Sequence, residues 1–284
     1  MKQDRHDSLK WEMTDAAIRI ALSSVTPILV TRDNAVFQQG TGTLFQVGEH
    51  ELLVTAAHVF DNLVEGDWIP HLLDAGNEYE QIRPVQLLGR TMSWKGSFDV
   101  SVTLLDDRTT EKLPNRKYLP FSMIDIGTIL PGAFCVGGFP AALGIGDPNS
   151  NLLCGCMICT KLYTGSTATF SGVHPYLHVL IDRMDDKGIT DRDGNPIALP
   201  DSLGAASGSP LLQTYQDGHP FDQWTPNDIR VVGVVTGEWR EALLATRGAA
   251  VLACAYNSFP ELQADFNDLG MIPINITAQA VLYG

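Results

Sequence analysis

Basic side chains are scarce in this sequence. Its 284 residues include 19 Lys and Arg against 33 Asp and Glu, so the formal net charge is −14 at pH 7. Nucleic-acid backbones and anionic lipid surfaces carry the same sign of charge and would repel such a chain. The composition therefore predicts no nucleic-acid partner and no membrane partner, and it favours a cationic partner or substrate.

Long apolar runs are also missing. No stretch approaches the roughly 20 apolar residues that a membrane-spanning helix needs. Residues 1–15, MKQDRHDSLKWEMTD, lack the apolar centre of a secretory signal. No low-complexity tract or fixed-period repeat is visible, and 44% of the residues are hydrophobic. We expect a globular protein that works in the cytoplasm.

Cysteines are few, and their five positions are unevenly spaced. An odd, uneven set argues against a disulfide framework and indicates a reducing compartment. Three of them, Cys154, Cys156 and Cys159, fall in CGCMIC, a spacing that would also suit a metal ion. Because no second cluster supplies a fourth ligand, a buried strand through NLLCGCMICTKLY is the preferred interpretation. We predict no metal and no cofactor.

Near the N-terminus the pattern of apolar residues changes from helical spacing to short β-rich segments. Over residues 8–23 they recur at the interval of one helix face, which predicts an N-terminal helix. Short β-rich segments separated by Gly, Asn and Asp follow, a pattern typical of antiparallel barrels and sandwiches. The first six segments are VTPILVT, VFQQGTGTLFQV, HELLVTAA, DWIPHLL, YEQIRPVQLLG and FDVSVTLL.

A polar connector with several prolines, residues 106–132, separates these segments from a second set. The second set is AFCVGGFP, NLLCGCMICTKLYT, YLHVLIDR, SPLLQTY, RVVGVVTGEW and GAAVLACAY. We therefore predict an all-β protein with two six-stranded antiparallel β-barrels and flanking N- and C-terminal helices. The predicted divisions are the N-terminal helix at 1–24, the first barrel and connector at 25–128, the second barrel at 129–257, and a C-terminal helix and tail at 258–284.

Three residues at strand ends point to nucleophilic chemistry. A serine hydroxyl attacks only after a base removes its proton, and a carboxylate improves that base by fixing its tautomer. His58 follows the apolar strand in LLVTAAHVF, and Asp99 begins the apolar strand FDVSVTLL, where an unpaired carboxylate is costly to bury. Ser207 lies among small residues in DSLGAASGSPLL. Each has an ordinary structural explanation alone, but together they favour a site between the two barrels.

The motifs around these residues occur in a recognisable order over 40–237: TGTLF, VTAAHVF, FDVSVTLL, VGGFP, SGSP and VVGVVTG. In these motifs the chain resembles the chymotrypsin-like (trypsin-fold) serine proteases of the intracellular bacterial type. The resemblance implies that His58 is the general base and acid, Asp99 orients it, and Ser207 forms an acyl-enzyme. It also implies an oxyanion hole made by the backbone N–H groups of Ala205 and Ser207.

The resemblance extends to substrate binding. It implies that Asp201 lies at the base of the specificity pocket, where it would pair with Lys or Arg before the scissile bond. Ser202 fits the pocket wall, whereas Glu238 stands where the family prefers a small residue. Thr236 and Gly237 lie on the strand edge that pairs with an extended substrate. The alternative for Asp201 is a solvated carboxylate in a polar loop.

The chain departs from the family beside the nucleophile. Two positions before Ser207 the family nearly always has glycine, and here the residue is Ala205. A positive φ costs an alanine about 1 kcal/mol. Either the hole assembles only with substrate, or the turn shifts to Gly204. Ala206 replaces an aspartate that pairs with a newly cut N-terminus in digestive members, so we expect the N-terminal helix to stay attached.

These features lead to one preferred function and two alternatives. The preferred function is a serine endopeptidase that cleaves a protein or peptide substrate after Arg or Lys, under regulated activation by an unknown partner. The first alternative is a protease-like binding module whose oxyanion hole is impaired by Ala205. The second is an acyl hydrolase with the same triad, which the double-barrel pattern makes less favourable.

Overall fold

A computed structural model describes residues 2–32, 35–63, 69–74, 83–139, 156–167, 170–183, 203–239 and 241–273. Its helices are α1 (Lys2–Ser24), α2 (Asp107–Thr110), α3 (Gly248–Ser258) and α4 (Gln263–Asp268). Its strands are β1 (Val25–Arg32), β2 (Ala35–Val47), β3 (His50–Thr55), β4 (Ile69–Asp74), β5 (Arg83–Gln86), β6 (Gly89–Trp94), β7 (Val100–Leu105), β8 (Leu119–Pro120), β9 (Gly132–Gly138), β10 (Cys156–Thr160), β11 (His178–Asp182), β12 (Pro210–Gln216), β13 (Arg230–Glu238) and β14 (Ala242–Arg247). Within these ranges, none of the helices combines the length and the apolar character needed to cross a bilayer.

The strands form two mainly antiparallel sheets. The first has eight strands in the order β5-β4-β1-β2-β3-β7-β6, with β8 paired to β2, and the second has six in the order β10-β9-β12-β13-β14-β11. The predicted double antiparallel β-barrel with flanking helices is confirmed. The first sheet also contains β6, which our segments omitted because its residues are largely exposed and do not alternate between apolar and polar.

The prediction of a strand over GAAVLACAY is wrong. These residues lie in α3, and the remaining strand of the second sheet is β14. A short, wholly apolar run does not distinguish a buried strand from a buried helix by its periodicity. Its alanines and leucine are strong helix formers, and α3 is buried on most of its surface.

The predicted N-terminal helix is present as α1, and it belongs to the core. Met13, Ala17 and Ala21 are buried at intervals of four residues, which places them on one helix face. Gly137 of β9 lets this face come close, because a Cβ at that position would lie 2.4 Å from the Ala21 Cβ. The second sheet therefore carries α1 as an integral layer.

The apolar core has one cluster in each barrel and a larger cluster between them. The larger cluster joins side chains of both sheets to side chains of α1, α3 and α4. Because this cluster fixes the two sheets against each other, the residues that follow β3, precede β7 and precede β12 meet at their junction.

Candidate active site

His58 and Asp99 form a directly bonded pair. His58 lies on the 3₁₀ turn Ala57–Leu63 after β3, and Asp99 immediately precedes β7. The Asp99 Oδ2 is 2.7 Å from His58 Nδ1, and its Oδ1 accepts the His58 backbone N–H at 3.0 Å. The Asp99 carbonyl also accepts the N–H of Ala57 at 3.1 Å. Asp99 thus holds both the imidazole ring and the backbone that carries it.

This pairing decides what the His58 ring can do. Nδ1 donates its proton to the carboxylate, so Nε2 of the neutral ring has a free lone pair and can accept a proton. The hydrogen bond that His58 donates to Asp99 raises the pKa of His58. Burial lowers this pKa, and the negative charges of Asp99 and Asp61 raise it further. The side chain is 45% exposed. His58 is therefore an accessible base whose cation is stabilised.

The turn before Asp99 is tied to the second barrel. His178 Nε2 lies 2.6 Å from the Ser97 carbonyl, where it must donate because a carbonyl only accepts. The Thr246 hydroxyl donates to the Phe98 carbonyl at 2.8 Å. Asp99 itself has a φ of 43°, a left-handed conformation that Asp tolerates better than most residues. Contacts from both barrels therefore place the Asp99 carboxylate.

The turn around Ser207 is bonded to the first barrel. The Ser207 carbonyl accepts the N–H of Thr41 at 2.8 Å. Gly208 has a φ of 96°, and a Cβ there would lie 1.8 Å from the Thr41 carbonyl oxygen. Only glycine fits this position, because both the backbone conformation and the available space exclude a side chain.

Three buried threonines of the first barrel hold this turn, and we refer to Thr41, Thr43 and Thr55 as the threonine clamp. The Thr41 hydroxyl donates to the Ala205 carbonyl at 2.8 Å, and the Thr43 hydroxyl donates to the Gly208 carbonyl at 2.9 Å. The Thr55 hydroxyl donates to the Thr41 carbonyl at 2.7 Å. The clamp fixes the peptides on both sides of the candidate nucleophile.

Ala205 adopts the left-handed conformation in the free protein. Its φ is 67°, and Gly204 is not among the described glycines with positive φ, so the turn has not shifted. The Ala206 N–H closes the turn by donating to the Leu203 carbonyl at 2.8 Å. The strain of about 1 kcal/mol is comparable to the roughly 0.5–1.5 kcal/mol that one hydrogen bond contributes, such as that from Thr41.

The backbone N–H groups of the turn alternate in their bonding. Those of Ala206 and Gly208 donate to the carbonyls of Leu203 and Val235. In the described part of the chain, the N–H groups of Ala205 and Ser207 have no acceptor. These are the two donors that the resemblance assigns to an oxyanion hole, and within the described residues neither has a partner.

The contact between Ser207 and His58 is not formed. Among the described residues, no hydrogen bond joins the Ser207 hydroxyl to the ring. The structure nevertheless brings both to one junction, because Thr41 bonds the Ser207 carbonyl and Thr55, three residues before His58, bonds Thr41. Catalytic hydrogen bonds are often long in the free enzyme and tighten with substrate.

Comparison with known proteins gives a match in structure and none in sequence. No family model matches the chain, and no curated protein matches it. A structure of human heparin binding protein is 14% identical, with 84% of this chain and 92% of that chain covered and a TM-score of 0.50. A mutant of human heparin binding protein (CAP37) gives 13% identity, coverages of 84% and 91%, and a TM-score of 0.50. The crystal structure of Deg5 gives 15% identity, coverages of 86% and 92%, and a TM-score of 0.48.

The fold is that of a trypsin-like double β-barrel. At identities this low the likeness establishes the fold alone, and one fold can carry several functions. What this trypsin-like chain does must be argued from its site.

The specificity pocket is described only in part, because Asp201 and Ser202 lie outside the described residues. Glu238 accepts the Leu203 N–H through both carboxylate oxygens, at 3.0 and 2.8 Å, and its Oε1 lies 3.1 Å from Arg183 Nε. The Arg183 and Glu238 side chains are 14% and 22% exposed. A mostly buried ion pair therefore stands where trypsin-like proteins prefer a small residue.

Thr236 and Gly237 lie on the part of β13 that extends past the end of its pairing with β12. The pairing of β12 with β13 reaches Pro210 and Val234, and beyond it no described residue of β12 pairs with residues 236–238. Thr236 is buried, and its hydroxyl is 3.2 Å from that of Thr246. Its backbone, rather than its side chain, is what an extended substrate would meet.

The CGCMIC segment lies only partly in the structure. Cys156 and Cys159 belong to β10, as the strand interpretation expected, and Cys154 lies outside the described residues. In the described ranges, no group of three or more His, Cys, Asp or Glu is arranged to hold a metal ion.

Sequence reasoning missed the threonine clamp and the partners of Glu238. Thr41 and Thr43 lie two residues apart in β2, so they face the same side of the sheet. Polar residues repeated on one buried strand face need buried partners, and this was the available signal. The pairing of Arg183 with Glu238 had no such signal, because Arg183 follows β11 and Glu238 ends β13, far apart in the sequence.

Proposed function

We propose that this protein is a serine endopeptidase that acts through a Ser207, His58 and Asp99 acyl-enzyme mechanism. The observation that carries the proposal is the Ser207 turn. Ala205 already has a positive φ, and the N–H groups of Ala205 and Ser207 have no acceptor among the described residues. Two unpaired donors beside a hydroxyl, at the same junction as a histidine base, form the arrangement that acyl transfer requires.

The chemistry follows from these positions. His58 Nε2 takes the Ser207 proton as the hydroxyl attacks the scissile carbonyl, and the Asp99 carboxylate stabilises the imidazolium that forms. The N–H groups of Ala205 and Ser207 bind the oxyanion, each contributing about 3–4 kcal/mol of transition-state stabilisation. His58 then protonates the leaving amine. Water, deprotonated by the same ring, hydrolyses the acyl-enzyme and frees Ser207.

Cleavage after Arg or Lys is part of the proposal. It is supported by the net charge of −14 and by Asp201 in the sequence. Glu238 is a further carboxylate in this region, but its charge is already paired with Arg183. A panel of peptides with Arg, Lys, Leu or Glu before the scissile bond tests it. We expect kcat/KM for Arg and Lys to exceed that for Leu at least about tenfold. Equal cleavage of the Arg and Leu peptides would remove the assignment.

Regulation and location are proposed on sequence grounds. The motifs resemble proteases of the intracellular bacterial type, and the uneven cysteines favour a reducing cytoplasm. Because the Ala205 turn is formed in the free protein, we place regulation at the access of substrate rather than at the oxyanion hole.

Labelling with an active-site phosphonate tests the proposed function. Wild type is expected to gain one phosphonyl group on Ser207, and Ser207→Ala is expected to gain none. Ser209→Ala is the matched control, because the buried Ser209 hydroxyl has no hydrogen-bond partner among the described residues and its loss should be nearly neutral. Absence of a Ser207-dependent adduct would overturn the proposal and favour the binding module.

A further inference from the structure

Two cysteines that the sequence separates lie against each other in the second barrel. Cys135 of β9 and Cys159 of β10 are direct partners in the antiparallel register. Their Sγ atoms are 3.3 Å apart, and both thiols are free. Directly opposed residues have Cα atoms about 4.5–5.5 Å apart, which lies within the range of about 4.4–6.8 Å that a disulfide spans.

The two thiols differ in access. Cys135 is only 3% exposed, within the cluster between the barrels, whereas Cys159 is exposed on the edge strand of its sheet. The side chain of Thr14 from α1 also contacts Cys159 through a hydrogen bond. A reagent in solution therefore reaches Cys159 first, because Cys135 is shielded from solvent.

The two thiols also differ in acidity. The hydrogen bond from Cys135 lowers the pKa of Cys159 to about 7, with a smaller contribution from the Thr14 hydroxyl and with burial acting against it. The same hydrogen bond raises the pKa of Cys135, and burial raises it further. Because the thiolate is the nucleophile in disulfide exchange, Cys159 is the attacking sulfur and Cys135 the resolving one.

We propose that Cys135 and Cys159 form a redox-active dithiol, which closes to a disulfide by exchange with a low-molecular-weight disulfide. The Cys159 thiolate attacks one sulfur of the reagent, forms a mixed disulfide and releases one thiolate. Cys135 then loses its proton and attacks the Cys159 sulfur, which releases the second thiolate. The protein dithiol is oxidised by two electrons, and the reagent is reduced to two thiols.

The disulfide would join two strands that also pack against other elements of the fold. β9 pairs with β12 on its other side, where Cys135 lies opposite Leu212, and α1 packs over the same strands. Closing the disulfide joins β10 covalently to β9 beneath α1. The site does not depend on the proposed protease activity, since neither cysteine belongs to that machinery.

Peptide mapping after exchange tests the proposal. Reduced protein is equilibrated in mixtures of oxidised and reduced glutathione, quenched with acid, alkylated and digested. The expected product is a Cys135–Cys159 linked peptide that has lost two hydrogen atoms and reverts with excess reduced glutathione. Cys254→Ser is the control, because the Cys254 thiol is buried in α3 and should not take part. No linked peptide, or linkage of Cys159 to Cys154 or Cys156 instead, would overturn the proposal.

Single variants test the order of the two steps. Cys135→Ala is expected to accumulate glutathione on Cys159, and Cys159→Ser is expected to leave Cys135 unmodified in the folded protein. Alkylation of wild type by iodoacetamide gives a reading that needs no variant, with Cys159 modified at least about tenfold faster than Cys135. Faster modification of Cys135 would contradict the assignment of the attacking sulfur.

Discussion

The two halves of the candidate site are built differently. In the half from the first barrel, Asp99 bonds both the ring and the backbone of His58, and His178 and Thr246 of the second barrel hold the turn before Asp99. The half from the second barrel has Ser207 at its centre and depends on the first barrel for its shape, because the threonine clamp bonds the carbonyls around it. The proposed base is paired with its carboxylate, while the proposed nucleophile has a bonded backbone and a hydroxyl with no partner among the described residues.

This difference shows which hydrogen bonds offset the backbone strain of the Ser207 turn. The Ser207 turn of the second barrel contains two residues with positive φ, Ala205 and Gly208. The first barrel supplies the donors that hold this turn, which are the hydroxyls of Thr41 and Thr43 and the N–H of Thr41. Because the first barrel bonds the Ser207 turn, perturbing one half should be visible in the other.

Asp99→Asn should disrupt the His58–Asp99 pair in the first-barrel half of the site. The amide can occupy the same place, but it favours the wrong tautomer of His58 and provides no charge for the imidazolium. We expect kcat to fall by roughly 10³–10⁴ with little change in folding. Asp61→Asn serves as the control, because Asp61 acts on the ring only through a smaller electrostatic contribution. Comparable losses in both variants would contradict the role of Asp99.

Thr41→Val should loosen the second half from the first. The Thr41 hydroxyl donates to the Ala205 carbonyl and accepts the Phe139 N–H, so valine leaves two partly buried groups unpaired. We expect a stability loss of about 1–3 kcal/mol per group and a kcat roughly 10- to 100-fold lower, with KM little changed. Thr41→Ser, which keeps the hydroxyl, should recover most of the activity. If it does not, the clamp is packing rather than positioning.

The pH dependence of kcat/KM reports the protonation of the His58 ring directly. The ring must be neutral to accept the Ser207 proton, and Asp99 raises its pKa above the ordinary value. Activity is therefore full above that raised pKa and falls as the pH drops through it, by about tenfold per unit below it. In Asp99→Asn this acid limb should move to lower pH. An acid limb below pH 6.5 in wild type would contradict the pairing, since that is the unperturbed value.

Ala205→Gly should have the smallest effect. Glycine removes the strain of the positive φ, about 1 kcal/mol, but the unfolded chain gains entropy that offsets part of it. We expect a change in unfolding free energy within about 1 kcal/mol and an unchanged or slightly higher kcat, measured by chemical denaturation and steady-state kinetics. A large gain in kcat would mean that the alanine turn is not productive in the free protein.

The sequence predicted the double barrel, α1 and the pairing of His58 with Asp99, because strand alternation, helical spacing and a costly buried carboxylate are local signals. It failed at GAAVLACAY, where a wholly apolar run has no period that separates a strand from a helix. The φ of Ala205 could not be derived from its own neighbours. It depends on Thr41, which lies 164 residues away in the other barrel, and such long-range contacts leave no local pattern.

The central claim is that the free protein already holds an assembled site that lacks only the contact between Ser207 and His58. Rapid mixing with an arginine p-nitrophenyl ester tests it most directly, because acylation releases nitrophenol before the slower deacylation. We predict a burst of one nitrophenol per chain that begins without a lag and is absent in Ser207→Ala. No burst, or a lag that persists at saturating ester, would show that the site is inactive or assembles only after the substrate binds.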